Sequence, residues 1–205
     1  MAFYHDLITE KSWQILQDLR RKYKFILIGG WAVFLYTKSL KSKDIDLICD
    51  YKELEKFKRE FDLSKNLRLK KYEIKIDGID IDIYLPYFSD LGIPVEEISN
   101  FIQNVQNFVV VKPEILIILK QKVYQERVGS IKGEKDKIDI VSLLTLSEFD
   151  FNFYLSALKK YKLETFRDAL IILLKNIRQL PELNLNEHRF AKFRESIFKK
   201  LNIRN

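Results

Sequence analysis

The chain has 205 residues, enough for one sizeable core or two small ones, and its 47% apolar and 32% charged residues exclude a disordered protein. A single cysteine, Cys49, excludes an internal disulfide and a multi-cysteine zinc site, and with His5 and His188 as the only histidines the sequence argues against a zinc-hydrolase site. The net charge of +7 favours anionic partners such as nucleotides or RNA, while short aliphatic runs and the lack of a secretory signal argue for a cytoplasmic protein with no membrane partner.

In chain order, Trp13, Leu16 and Leu19 or Arg20 recur at helical intervals and predict a helix over 9–23. A short buried strand over 25–28 then meets Gly29-Gly30, residues 31–36 read as a short helix, and 37–43 as a polar, basic loop. Residues 44–49 alternate and predict a strand, followed by a helix over 53–61 and a strand over 68–76. Asp77-Gly78 is a two-residue hairpin signal, because both central positions of a type I′ turn need positive φ, and the return strand is 79–85. Pro86 and Pro94 punctuate a loop, 96–104 reads as a helix, and 108–111 as one more strand.

From Pro113, well suited to a first helical position, helical periodicity takes over. It predicts helices over 113–128, 132–146, 148–161, 163–178 and 186–201, with Ser147 as N-cap of the third. The expected organisation is an α/β region over 1–112 and an all-helical region over 113–205.

Two stretches carry the chemistry. Side chains alternate along a strand, so Asp44, Asp46 and Ile48 share one face and Ile45, Leu47 and Cys49 the other, with the two carboxylates roughly 6.6 Å apart. Asp80, Asp82 and Tyr84 likewise share a face against Ile79, Ile81 and Ile83. If the two strands are neighbours, up to four carboxylates converge. Such a cluster disfavours ionisation unless cations compensate it. Mg²⁺ suits it, because the ion binds a few carboxylates, keeps waters and takes phosphate oxygens as remaining ligands. Gly29-Gly30, separated from Asp44 by thirteen intervening residues, supplies the complement. Glycines at a strand–helix junction let phosphates approach the backbone, and the donors at the helix start face the anion.

The segment Gly29-Gly30, Asp44-Ile45-Asp46 and Asp82 resembles the nucleotidyltransferase superfamily typified by DNA polymerase beta. Downstream, Lys120, Arg127 and Lys135-Asp136-Lys137-Ile138-Asp139 resemble the branch of abortive-infection toxin nucleotidyltransferases and related small prokaryotic enzymes. The likeness covers about 25–145. It implies an α+β fold, with an N-terminal mixed β-sheet flanked by helices followed by an all-helical C-terminal region. It implies transfer of a nucleoside monophosphate from an NTP to an acceptor hydroxyl, with release of pyrophosphate and two Mg²⁺ ions. Asp44 and Asp46 would hold metal, and a third carboxylate would complete the site and could take the acceptor's proton. The family pattern of Asp-apolar-apolar ending the strand favours Asp82 over Asp80, which lies on the same face. Two departures stand out. Gly30 occupies a position where many members carry a phosphate-touching serine, and Lys41-Ser42-Lys43 only loosely matches the usual basic-residue-plus-Thr pattern.

Several side chains have two readings. Gly29, Gly30, Lys43 and Lys120 are candidates to contact the nucleotide. Lys43 flanks the acidic pair but loop lysines are usually solvated. Lys120 shares a stripe with Leu116, Val123 and Arg127; it reaches a triphosphate, pairs with Asp136 and Asp139, or does both. Tyr84 stacks on a base or packs in the core. Cys49 faces the core as a small hydrophobe. A tRNA or a protein is the favoured acceptor, with a small molecule open, and the oligomeric state is unassigned. The alternative is a non-catalytic nucleotidyltransferase-like scaffold binding RNA or a cognate protein in a toxin–antitoxin-type system.

Overall fold

A computed structural model describes residues 2–201, with side chains from residue 6 onward. The His5 side chain and the last four positions of the expected helical region lie outside the described residues. The chain gathers into two compact units that divide between Lys112 and Pro113.

The first unit opens with α1 (Ala2–Lys22), which begins earlier than its apolar spacing predicts. Next come β1 (Ile26–Ile28), α2 (Gly29–Thr37), β2 (Ile45–Ile48), α3 (Tyr51–Glu60), β3 (Ser64–Asn66), β4 (Lys71–Ile76), β5 (Ile79–Tyr84), α4 (Val95–Ile98), β6 (Ile102–Val105) and β7 (Phe108–Val111). The strands form one mixed sheet of seven, in the order β3-β4-β5-β2-β1-β7-β6. The β1–β7 and β2–β5 pairs are parallel and the others antiparallel. The α+β architecture with a mixed sheet therefore holds.

Period-two alternation builds the core of this unit. Ile45 and Leu47 of β2 and Ile81 and Ile83 of β5 are fully buried on one face, and α1 runs close to β5. Burial of each such side chain is worth about 1.5–3 kcal/mol. Trp31 of α2 is buried beside Trp13, ring centroids 5.0 Å apart, and its indole Nε1 donates to Ser12 Oγ at 2.9 Å. That bond satisfies the polar end of an otherwise apolar ring. Tyr23 stacks on Phe57 of α3 at 3.9 Å, tying the end of the first helix to the third. Asp50 caps α3 by accepting from the backbone N–H of Glu53 at 2.7 Å.

The structure corrects four local expectations. The predicted helix over 96–104 survives only as α4, and its second half is strand β6. β6 pairs with β7 through Gln106-Asn107, both at positive φ (49° and 67°), so a two-residue turn overrides the local helical pattern. Strand β3 was not anticipated; its polar Ser-Lys-Asn sequence has no apolar alternation, and pairing to β4 defines it. Asp44 sits in a bend just before β2 rather than on the strand. Ser147 is not a helix cap: its hydroxyl donates to the Glu148 carboxylate, and Asp150 caps the following helix by accepting from the Phe153 N–H.

The second unit contains α5 (Pro113–Arg127), α6 (Ile131–Leu144), α7 (Phe151–Lys160), α8 (Thr165–Asn176) and α9 (Glu187–Lys200), with a 3-10 turn at Pro181–Leu183. α5 packs on both α6 and α7. Gln121 of α5 ties three helices together. Its amide nitrogen donates to the Phe166 carbonyl at 2.7 Å and its amide oxygen accepts from the Tyr154 hydroxyl at 2.8 Å, all buried. Ser130 caps α6 by accepting from the Gly133 N–H at 3.0 Å, and a Cβ at Gly133 would lie 2.1 Å from the Arg127 carbonyl oxygen. Glycine is therefore needed at that turn. Among the described residues, no helix is long and apolar enough to cross a membrane.

Candidate active site

The parallel β2–β5 ladder places Asp46 directly opposite Asp82. Register-paired side chains on adjacent strands emerge on the same face. The two carboxylates therefore share the face opposite Ile45, Leu47, Ile81 and Ile83. On the other flank of Asp82, the antiparallel β4–β5 ladder pairs it with Glu73. The result is a row of three acidic residues, Asp46, Asp82 and Glu73, across three neighbouring strands.

Strand β1 brings the glycines to one end of this row. Ile28, its last residue, pairs with Asp46, and α2 begins at the next position. Gly29 has φ +67°, and a Cβ built there would stand 2.0 Å from Asp46 Oδ2. Only glycine fits, on both backbone and steric grounds. Its chemical effect is to seat the Asp46 carboxylate against the start of a helix. Ile28, the cap residue, gives α2 no side-chain hydrogen bond, and the first turn of this nine-residue helix carries the backbone donors and positive dipole end of a helix start. Gly30 is buried within the first turn.

Asp82 is perturbed by this setting. Its side chain is 19% exposed, and its pKa is pushed up to about 6 by burial first and by the Asp46 charge second. Lys71 opposes the shift: its Nζ lies 2.6 Å from Asp82 Oδ2 and 2.9 Å from Glu73 Oε1. Hydrogen bonding to Lys71, with help from Asn66, draws the Glu73 carboxyl below its ordinary range. The Lys71 ammonium is held above its usual value by both carboxylates, even though burial acts to lower it.

The other expected site residues take different places. Asp44 is half-buried in the bend leading into β2. Asp80 is exposed and pairs at 3.1 Å with Lys75 of β4, away from Asp46. Lys43 is exposed beside Asp44, and Lys41 makes a solvent-exposed ion pair with Glu10 at 3.6 Å. Tyr84 is half-buried, one step further along the Asp82 face. Cys49 is buried and its thiol is pushed up to about 12, chiefly by burial, which makes it an inert core residue.

Lys120 belongs to the second unit. It is buried, with Nζ 3.1 Å from Asp136 Oδ1 and 2.6 Å from Asp139 Oδ2, and Arg127 lies 3.6 Å from the other Asp136 oxygen. Burial pushes the Asp139 carboxyl up and Lys120 pulls it back. The Lys-Asp-x-x-Asp stretch is thus the acidic half of a buried ion cluster.

Lys71 and Glu73 were missed by sequence reasoning, although a signal was present. A two-residue turn at Asp77-Gly78, with φ 51° and 85°, fixes the hairpin register, and counting back from it pairs Glu73 with Asp82. Among the described residues, no three Asp, Glu, His or Cys side chains are grouped so as to hold a metal ion by themselves.

No family model matches the chain, and no curated protein matches it. Solved structures do. A Helicobacter pylori protein provisionally described as a nucleotidyltransferase is 19% identical, with a TM-score of 0.50 over 95% of this chain and 95% of that one. The JHP933 protein of Helicobacter pylori is 17% identical, with a TM-score of 0.50 over 98% of this chain and 93% of that one. A nucleotidyltransferase-like antigenic protein of Paracoccidioides brasiliensis is a looser match, 17% identical with a TM-score of 0.47 over 88% and 94% of the two chains. At these identities the likeness is one of fold, and the fold is nucleotidyltransferase-like.

Proposed function

We propose that this chain is a metal-dependent nucleotidyltransferase that moves a nucleoside monophosphate from an NTP to an acceptor hydroxyl and releases pyrophosphate. The observation that carries this reading is the register pair Asp46–Asp82, seated by Gly29 against the start of α2 on a nucleotidyltransferase-like fold.

The donor set fits a hard divalent cation. Asp46 and Asp82 offer adjacent carboxylates and Asp44 stands two residues before Asp46; these do not form a metal site by themselves, and water and substrate phosphate oxygens would complete it. The upward shift of Asp82 has burial and the Asp46 charge as its main causes, and a cation between the carboxylates offsets both. We assign Asp44, Asp46 and Asp82 to Mg²⁺, and Asp82 over Asp80 as the third carboxylate, because Asp82 lies opposite Asp46 in the β2–β5 register whereas Asp80 is exposed beside Lys75. When bound, the metal supplies Lewis-acid stabilisation of the phosphates and lowers the pKa of the acceptor hydroxyl.

The chain's own residues do the rest. The backbone at Gly29 and Gly30 receives phosphate oxygens at the helix start. Lys43, exposed beside Asp44, would neutralise the triphosphate from the loop. Asp82 takes the hydroxyl proton as the acceptor oxygen forms its bond to the α-phosphorus and the bond to the bridging oxygen breaks; pyrophosphate carries the electron pair away. Lys120 serves its own helical unit in this proposal, paired with Asp136 and Asp139. The acceptor is a tRNA or protein hydroxyl in the cytoplasm, a choice supported by the +7 net charge.

Incubation with each α-labelled NTP, Mg²⁺ and total cell extract tests the reading. Label should pass to an RNA or protein species, and Asp46→Asn should abolish the transfer. Label that never leaves the nucleotide pool with any NTP, or that transfers equally well with Asp46→Asn, would exclude it.

A further inference from the structure

Lys71 lies inside the acidic row rather than beside it. β4 puts Lys71 and Glu73 two residues apart on one face, and the β4–β5 register sets Glu73 against Asp82. The Lys71 ammonium bridges the two carboxylates, 2.6 Å from Asp82 Oδ2 and 2.9 Å from Glu73 Oε1, on a side chain only 12% exposed. Asn66 of the edge strand β3 steadies the far side by donating its amide to Glu73 Oε1 at 3.1 Å. The next ion pair along the same hairpin, Lys75–Asp80, is 3.1 Å long with side chains 65% and 60% exposed. That second pair is an ordinary surface contact; the first is built in.

Resting on the assignment of Asp82 as a metal ligand, we propose that Lys71 is a positioning residue and the resident counter-cation of the site. It holds the Asp82 carboxylate in place before metal arrives, and it competes with the metal for that carboxylate. The physical reason is charge. An oxygen engaged with an ammonium at 2.6 Å has less negative potential to offer a second cation, and the two positive charges repel. Removing the ammonium leaves the row one unit more negative and Asp82 less firmly oriented. Lys71→Met therefore binds a divalent cation more tightly yet transfers nucleotide more slowly. A merely structural lysine gives the opposite sign for metal, because a disordered Asp82 is a poorer ligand.

Mn²⁺ titration of the full chain, followed by electron paramagnetic resonance, tests this with Lys71→Met, Lys71→Arg and Lys75→Met. Lys71→Met is expected to bind on the order of tenfold tighter, as Coulomb repulsion across a few ångströms of a largely buried but solvent-screened site predicts. Lys71→Arg and Lys75→Met should stay within about twofold of the unaltered chain, the first retaining the charge and the second removing only a surface one. Equal or weaker Mn²⁺ binding by Lys71→Met, or an equal gain in Lys75→Met, overturns the role of Lys71 while leaving the metal assignment standing. No Mn²⁺ binding by the unaltered chain overturns the metal assignment and the role together. Should Lys71→Met fail to fold, amine acylation mapped by mass spectrometry gives the answer on the unaltered chain. Mn²⁺ should raise Lys71 labelling several-fold as Asp82 is taken over, and unchanged or reduced labelling contradicts the proposal.

Discussion

The Asp46 carboxylate occupies the space that a Cβ at residue 29 would need: a Cβ built on Gly29 stands 2.0 Å from Asp46 Oδ2. The glycine is therefore a support for the carboxylate as well as the proposed phosphate cradle, and one contact links it to Asp46. Gly29→Ala adds the strain of a left-handed backbone at φ +67° to that collision. It is expected to destabilise the fold by about 2–4 kcal/mol and to weaken divalent-cation binding at the same time. Denaturant unfolding together with a metal titration of the surviving folded fraction checks both effects.

Asp46 is the second cause of the high Asp82 pKa, after burial. Asp46→Asn removes that charge and should lower the Asp82 titration midpoint from about 6 toward ordinary aspartate values without restoring it fully, since burial remains. Side-chain carboxyl resonances followed through a pH titration in chelator would show it. An unmoved midpoint would mean the pair is not electrostatically coupled.

The same shift makes stability depend on pH in a definite direction. The Asp82 carboxyl binds its proton more tightly folded than unfolded, so its contribution is complete below the unfolded pKa of roughly 3.9 and is lost as pH rises through about 6. In chelator, Asp82→Asn should therefore gain stability relative to the unaltered chain on going from pH 4.5 to 8, by at most about 3 kcal/mol. Equilibrium unfolding at the two pH values measures it, and Mg²⁺ should erase much of the difference in the unaltered chain at pH 8.

Asp80 and Asp82 are separated by one residue, and their environments differ sharply. Asp80 pairs with Lys75 in solvent, whereas Asp82 lies between Asp46 and Lys71. Asp80→Ala should cost no more than about 0.5–1 kcal/mol of stability and leave nucleotide transfer near its original rate. Asp82→Ala should abolish transfer. Side-by-side label-transfer assays of the two variants decide between the carboxylates.

Lys120 compensates two buried aspartates in the helical unit, so its loss leaves buried carboxylates without their ammonium. Lys120→Met should destabilise by about 3–5 kcal/mol, and Asp136→Asn with Asp139→Asn should recover part of that loss. Chemical unfolding of the single and triple variants tests the cluster. Absence of any recovery would show that the lysine acts through packing rather than charge.

Much of the fold was legible because alternation and turns are local. Ile45, Leu47, Ile81 and Ile83 alternate with carboxylates, and Asp77-Gly78 marks a hairpin, so the acidic faces of β2 and β5 follow from spacing alone. Local signals failed where pairing decides. Residues 102–105 carry a weak helical pattern that pairing with β7 overrides, and 64–66 become a strand only by lying against β4. The glycine–carboxylate contact was hidden for the same reason, since Gly29 meets Asp46 only through the antiparallel β1–β2 register. Lys71 and Glu73 belong to no motif. They enter the site through the geometry of one hairpin, and the residues that tune a carboxylate are harder to see than the carboxylate itself.

Calorimetric titration of Mg-NTP into the unaltered chain and into an Asp46→Asn/Asp82→Asn double variant tests whether these two carboxylates hold a metal–nucleotide complex. Binding should require the divalent cation and disappear in the double variant while the variant remains folded. Binding that persists in chelator, or that is undiminished in the folded double variant, would contradict that role.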